Sequence, residues 1–467
     1  MAMVHVLFWF DVEDCTVTQS DDAAKRLALI LREHGVRGTF KIVGQKARLL
    51  EQRVRYDVID ALREHDIGFH SNWHGLRPQV AEYLAPLDWD DGAAEFQRRE
   101  EPGLDDVRRL FGDRVVTYGQ PGSNWAPQVF PVLGRWGIPT YVSGYGYVGL
   151  HCQPFWYGGV LCTSHMYGRG PAGDPESHAF GLNFELGAPG EIEKHKQAFL
   201  QSHERLSRRG GLVSIMNHPC TLVLEEWFST YMKPRDLTEA GYRHFADFLG
   251  WVLAFDDVRP TCASRLPDLY PDLARGHTFA ADELAALSES LRGEISFRRL
   301  GDVAVSAAEA FGLLVRCLAA YAADGALPAA MPWSDVQNPK RGPGVPSAET
   351  RASWPELLEA ASAVAGFVAR EGRVPDSVPF GGTNVAPGDF LGAVGGVLAD
   401  LWRGKPAPDE VTIAGISCLL EEYVDEAGAR SGWQSVMLPP GFTAPGLIEL
   451  AKLGAWTLKP AVLIASR

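Results

Sequence analysis

Short apolar runs alternate with amphipathic stretches from Val4 to Phe255, and that alternation leaves few folds open. Val4–Phe10 and Gly211–Met216 (GLVSIM) are continuous apolar runs. Gly38–Val43 (GTFKIV), Ile67–Phe69, Val115–Tyr118 and Thr140–Val142 are shorter strand candidates. Runs without an alternating polar face suit strands covered on both sides, as in parallel sheets. Helical patterns lie between them at Asp21–His34, Gly44–Leu50, Tyr56–His65, Gly92–Phe111, Pro127–Trp136, Gly190–Gly210 and Glu239–Phe255. Asp21 or Ser20 is the expected N-cap of the first. Strand-then-helix order repeated this often predicts an α/β fold, either a parallel barrel or a doubly wound sheet.

Each strand candidate stops at residues capable of chemistry. Val4–Phe10 ends at Asp11, Glu13 and Asp14; Ile67–Phe69 is followed by His70 and His74; Val115–Tyr118 runs into Pro121 and Gly122; Gly211–Met216 runs into Asn217 and His218. Parallel α/β folds carry their sites at the C-terminal strand edge, so these endings converge in space. Two histidines four residues apart after a strand suit one metal ion. Taken singly, the carboxylates could instead close the strand as an Asx turn.

Composition narrows the partners. The net charge is −14 without a long basic run, which argues against nucleic acid and anionic membrane. Seven scattered cysteines (15, 152, 162, 220, 262, 317, 418) contain no CxxC pair and fit reduced thiols. Cys15 and Cys220 lie next to the suspected site, but metal hydrolysis explains their neighbours better than a nucleophilic thiol. Met1–His5 leads straight into the first strand candidate without a basic region or cleavage site, and a cytoplasmic protein is expected. No apolar run reaches the roughly 20 residues of a membrane-spanning helix.

These motifs, in this order, resemble the polysaccharide deacetylases of carbohydrate esterase family four over about Val4 to Phe255. FDVED resembles the family's first motif, usually a strand ending TFDDG. GTFKIVG resembles ATFFVVG, HDIGFHSNWH resembles the metal-binding HEIGNHTxxH, YGQPGS sits where RxPxG is expected, and SIMNHP sits at the final strand. The resemblance implies a distorted (β/α) barrel holding one divalent metal ion, commonly zinc, that cleaves acyl groups from nitrogen. His70 and His74 match the histidine ligands, Asp11 the general base and His218 the general acid. The carboxylate ligand is open: Val12 follows the base, and the candidates are Asp14, favoured because aspartate is the usual ligand, and Glu13.

Two departures bear on the substrate. The arginine expected before the proline of the third motif, which orients the base in the family, is absent; Gly119 or Gln120 occupies its neighbourhood. No aspartate–tryptophan pair of a fourth motif is present either, and Tyr145–Asn183 is a long aromatic-rich insertion with Trp156, Tyr157, His165 and Tyr167. Such loops tend to be lids. Trp73, Trp125, Trp156 and Trp227 are candidates to wall a pocket with Pro121 and Gly122, since aromatic faces suit sugar rings. The expected activity is hydrolysis of a C–N amide bond, with N-deacetylation of an amino sugar or oligosaccharide first. A non-sugar amidase acting on a cyclic amide or formamide, and an inactive glycan-binding module, are the alternatives.

The texture changes at Arg259. A barrel over 1–258, a Pro-marked linker over 259–279 and a mainly α-helical domain over 280–467 are expected. Its helical patterns are Ala280–Leu291, Ser306–Ala322, Ser353–Ala369, Pro387–Trp402 and Val411–Ala427. A faint repeat relates 302–321 to 383–402, and VPDSVPFGGTNVAPGDFLGAV is similar to the pseudomurein-binding repeat. The preferred role for this half is packing against the barrel or forming a homodimer.

Overall fold

A computed structural model of the chain describes residues 2–143, 146–150, 153–163, 179–182, 190–226, 229–342 and 349–464. His165, Tyr167 and Trp227 lie outside the described residues.

Among the described residues, the first half is an α/β fold built on one sheet of 11 strands, ten of its own and one from Lys459–Pro460. In chain order these begin β1 (Val4–Val12), α1 (Gln19–Glu33), β2 (Thr39–Ile42), α2 (Gly44–Gln52), α3 (Tyr56–Arg63), β3 (Asp66–Phe69), α4 (Val80–Leu84), α5 (Trp89–Phe111) and β4 (Val115–Tyr118). Then come α6 (Phe130–Arg135), β5 (Thr140–Val142), β6 (Phe155–Tyr157), β7 (Val160–Thr163), β8 (Ala179–Gly181), α7 (Glu191–Leu206), β9 (Gly211–Asn217), α8 (Arg235–Leu253) and β10 (Val258–Thr261). The strand order is β8-β9-β1-β2-β3-β4-β5-β7-β6, with Lys459–Pro460 added outside β6. Successive parallel strands are neighbours from β1 to β5, and β9 returns to the far side of β1. This is barrel winding, without the reversal of a doubly wound sheet. The barrel is distorted: β10 and β2 share one edge of β1, β10 pairing at Val4–Leu7 and β2 at Trp9–Val12.

Alternation along β1 sets which residues face the site. Val6, Phe8 and Phe10 pack in the layer between sheet and helices, whereas Leu7 and Trp9 join the inner cluster with Val142, Leu161 and Met216. A period of two carries that inner face on to Asp11 and Glu13. In β2, Phe40 and Ile42 face outward and Lys41 inward; in β3, Ile67 and Phe69 face outward and Gly68 inward. Register then places Asp11, Lys41, Gly68 and Thr117 in one row across β1 to β4.

Three elements differ from expectation. Helix α1 begins at Gln19 after Thr18, and Asp21 serves in buried ion pairs with Lys46 and Arg53 rather than as an N-cap. Part of the expected insertion is sheet: β6 and β7 form a hairpin across Gly158 and Gly159, whose φ values of 57° and 75° suit its tight turn. Val411–Ala427 is not a helix. Glu410–Ile413 is a strand paired with Thr350–Ser353, and its residues alternate exposed and buried at a strand's period of two.

The faint repeat is part of a larger duplication. A strand (Thr278–Ala280), a helix (Ala281–Ser290), a hairpin (Arg298–Leu300 with Val303–Val305), a helix (Ala307–Asp324) and a strand (Ala330–Pro332) form one unit. The same series recurs as Thr350–Ser353, Trp354–Glu371, Val378–Phe380 with Thr383–Val385, Pro387–Trp402 and Glu410–Ile413. In each unit the first and last strands pair antiparallel. The two units share one apolar core around Phe311, Leu314, Phe390 and Leu398. Beyond them the chain returns to the barrel: Trp433, Leu447, Ile448 and Leu458 are buried in the barrel's own core.

Candidate active site

Glu13, His70 and His74 meet just past the C-terminal ends of β1 and β3. Glu13 Oε2 lies 3.1 Å from His70 Nε2 and 3.0 Å from His74 Nε2. One ligand atom from each of the three falls within 4.8 Å of the others, and the same holds for Asp11, Glu13 and His218. His218 follows β9 and places Nε2 3.6 Å from Asp11 Oδ2. Four of the five side chains are nearly inaccessible, while the His218 side chain keeps 16% of its exposure.

Between the two histidines the backbone is held from several sides. Ser71 takes a φ of 66°, in the left-handed region that a non-glycine residue seldom adopts. The Ser71 and Asn72 carbonyls accept the Gly44 and Gln45 N–H groups at the start of α2, both at 2.9 Å. Asn72 N–H donates to Glu100 Oε2 at 2.6 Å, and Asn72 Nδ2 donates to the Arg99 carbonyl at 2.9 Å. Glycines 44 and 103 let α2 and α5 approach this closely, since a Cβ on Gly103 would overlap Asn72 and one on Gly44 would overlap the Gly103 backbone. Burial pushes the Glu100 carboxyl up to about 7.

The imidazoles are oriented as well as placed. His70 Nδ1 is 2.6 Å from the Gly119 carbonyl, a bond that needs the proton on Nδ1 and leaves Nε2 turned to Glu13. Burial would raise the Glu13 carboxyl, but the charges of His74 and His218 and the hydrogen bond from His74 hold it well below the usual range. Burial lowers His70. Burial pulls His74 down too, but the charge and hydrogen bond of Glu13, with the charges of Asp11 and Asp14, together raise the group.

Asp14 is placed differently from Glu13. Its carboxylate accepts the Thr16 and Val17 N–H groups at 3.3 and 3.2 Å, an Asx turn, and it belongs to neither metal-capable group. Of the two carboxylates left open in the sequence, Glu13 and not Asp14 is the one grouped with His70 and His74, because alternation turns residue 13 to the inner face with Asp11. Lys46 ties this turn down by donating to the Asp14 carbonyl and to Ser20 Oγ.

The remaining expectations divide. Trp73 is 47% exposed beside His74, with the Arg48 guanidinium 4.4 Å over its ring. Pro121 and Gly122 follow β4 at the same edge, and Met437 from the C-terminal segment packs at Gly122 and accepts from Gln79 Nε2. Trp125 and Trp156 do not face these residues: Trp156 lines a separate cavity with Trp89, Arg135 and Arg275, and Trp125 borders only a small void among Phe130, Tyr141 and Tyr157. Trp125 is 3% exposed among Phe130, Tyr147 and Tyr157, and Trp156 is 8% exposed in the inner cluster. Large aromatic rings gain more from the core than from a rim. Cys15 is pushed up to about 11 by burial, and burial raises Cys220 well above its usual range, so both thiols are protonated near neutrality.

Lys41 was not anticipated. It is 1% exposed on β2, 2.9 Å from Asp11 Oδ1 and 4.2 Å above the Trp9 ring. A charged residue inside the apolar run GTFKIV was its signal in the sequence.

No protein-family model matches the chain, and no curated protein does. Solved structures do match it. The N-terminal half resembles the polysaccharide deacetylases. A probable polysaccharide deacetylase from Pseudomonas aeruginosa PAO1 is 14% identical, over 57% of this chain and 91% of its own, with a TM-score of 0.39. Puue allantoinase is 14% identical over 58% and 92%, at 0.40. The family 4 carbohydrate esterase from Streptomyces lividans is 14% identical over 56% and 93%, at 0.30.

Proposed function

We propose that this chain is a metal-dependent hydrolase that cleaves a C–N amide bond, with N-deacetylation of an amino sugar as the leading reaction. The convergence of Glu13, His70 and His74 on a common point, with Asp11 and His218 beside it, carries this reading. Two imidazoles and one carboxylate form a donor set that suits a catalytic divalent ion and leaves coordination positions open. The fit is supported by His70, whose Nδ1 is engaged by Gly119 so that Nε2 remains for a ligand role. A bound ion would supply Lewis acidity and lower the pKa of water.

The chain's own groups supply the proton transfers. Asp11, with Oδ2 turned toward His218, can accept a proton from the attacking water. His218, the most accessible of the five, can deliver a proton to the departing nitrogen, which leaves poorly as an anion. Asp11→Asn and His218→Ala should each lower kcat by about a hundredfold or more while metal content stays unchanged.

The test is a panel of N-acetylated amino sugars and small non-sugar amides, assayed as purified, after chelation and after zinc is restored. Hydrolysis that falls on chelation and returns with metal is expected. Turnover confined to non-sugar amides would move the reading to a cyclic amidase or formamidase. Tight sugar binding by a metal-free, inactive protein would replace it with a binding module.

A further inference from the structure

The sheet places one buried cation against one oxygen of the proposed base. Asp11 and Lys41 are direct register partners on β1 and β2, both on the inner face. Lys41 Nζ is 2.9 Å from Asp11 Oδ1, while Asp11 Oδ2 is the oxygen that faces His218 at 3.6 Å. The two carboxylate oxygens therefore have different surroundings: one is pinned by an ammonium and the other points to the site.

Two glycines make room for this lysine. A Cβ on Gly68, its register partner on β3, would overlap the Lys41 stem, and a Cβ on Gly119, just past β4, would run into Lys41 Nζ and the Val142 carbonyl. Gly119 also accepts from His70 Nδ1. The same short backbone stretch thus admits the lysine and orients a candidate ligand. Trp9 closes the other side of the ammonium with its ring face. A buried charge needs such partners, and these fix the ammonium at a single point.

We propose that Lys41 is a positioning residue for hydrolysis, holding Asp11 by Oδ1 so that Oδ2 is presented to the water and to His218. The proposal rests on the role given to Asp11 above. Lys41 makes and breaks no bond; it acts through Asp11 alone.

That dependence gives the test. Lys41→Met, Lys41→Arg, Asp11→Asn and the double variant Asp11→Asn/Lys41→Met are compared for kcat, KM and metal content. Lys41→Met should keep its metal and keep KM within about twofold, while kcat falls about a hundredfold. Lys41→Arg, which retains the charge, should recover part of that loss. In the Asp11→Asn background, Lys41→Met should change kcat by less than about twofold, because the residue it acts through is already gone. The double variant leaves neither charge alone, so this comparison stands even if Lys41→Met fails to fold. Wild-type turnover by Lys41→Met, or a further loss of about tenfold in the double variant relative to Asp11→Asn, would overturn the proposal. Wild-type rate and metal content test the preceding reading, whereas the ratios between variants test this one.

Discussion

Glu13 and Asp14 are neighbours in sequence with opposite surroundings in the fold. Glu13 faces two imidazoles; Asp14 faces two backbone N–H groups. Asp14→Ala should therefore cost about 1–3 kcal/mol of stability through the lost charged acceptor, read from urea midpoints, without emptying the candidate metal site. Glu100 offers a second prediction at this scale. Its carboxyl is raised from 4.5 to about 7 by burial, so the folded state holds the proton more tightly than the unfolded chain. Its contribution to stability is most favourable below about 4.5, is lost as pH rises toward about 7 and is constant beyond. Glu100→Gln, which cannot ionise, should gain stability relative to wild type over that interval and show no gain near pH 4.5. Midpoints that rise and fall together across the range would contradict this.

The His70–His74 turn is fixed by the elements around it more than by its own sequence. Helix α5 reaches it through Gly103 and Glu100, and α2 through Gly44 and Arg48. Gly103→Ala would drive a methyl group into Asn72 and should cost about 1–3 kcal/mol. The shifted turn should also weaken zinc binding, measured by titration with a competing chelator. Most strand endings of the first half were legible because a buried parallel strand is a plain apolar run, and its last residue has nowhere to go but the site. The histidine pair was legible for the same reason. Lys41 was not, although it sits in a quoted motif, because its partners lie on β1, β3 and past β4, and only register brings them together. The choice between Glu13 and Asp14 was decidable in principle: residues 7, 9, 11 and 13 share a face. The β6–β7 hairpin was missed because its strands are three and four residues long, although Gly158–Gly159 marks the turn.

At the scale of the whole chain, we propose a catalytic barrel, a connecting segment and a C-terminal unit close to the expected bounds of 1–258, 259–279 and 280–467, with the barrel running on through β10 to Thr261 and the C-terminal unit beginning at Thr278. That C-terminal unit is itself built on a duplication. The unit does not stand apart, because Trp433, Leu447, Ile448 and Leu458 fill the barrel's core and Lys459 pairs with Asp272 and Glu309 at 2.7 and 2.6 Å. A fragment ending at 279 should consequently expose that core. It is expected to be insoluble or to bind a hydrophobic dye, whereas the full chain stays monodisperse. A stable, dye-silent fragment would show that the barrel completes its core unaided. The return was hidden in the sequence because Ala- and Leu-rich segments look alike whichever core they enter. No helix among the described residues is long and apolar enough to cross a membrane.

The central claim is that Glu13, His70 and His74 together hold a catalytic ion. Metal content per chain, measured by mass spectrometry on protein dialysed against zinc, tests it most directly. Wild type and Asp14→Ala should carry about one ion per chain, and Glu13→Gln and His70→Ala/His74→Ala should carry none. An empty wild type, or an ion lost with Asp14 but kept without Glu13, would contradict the account.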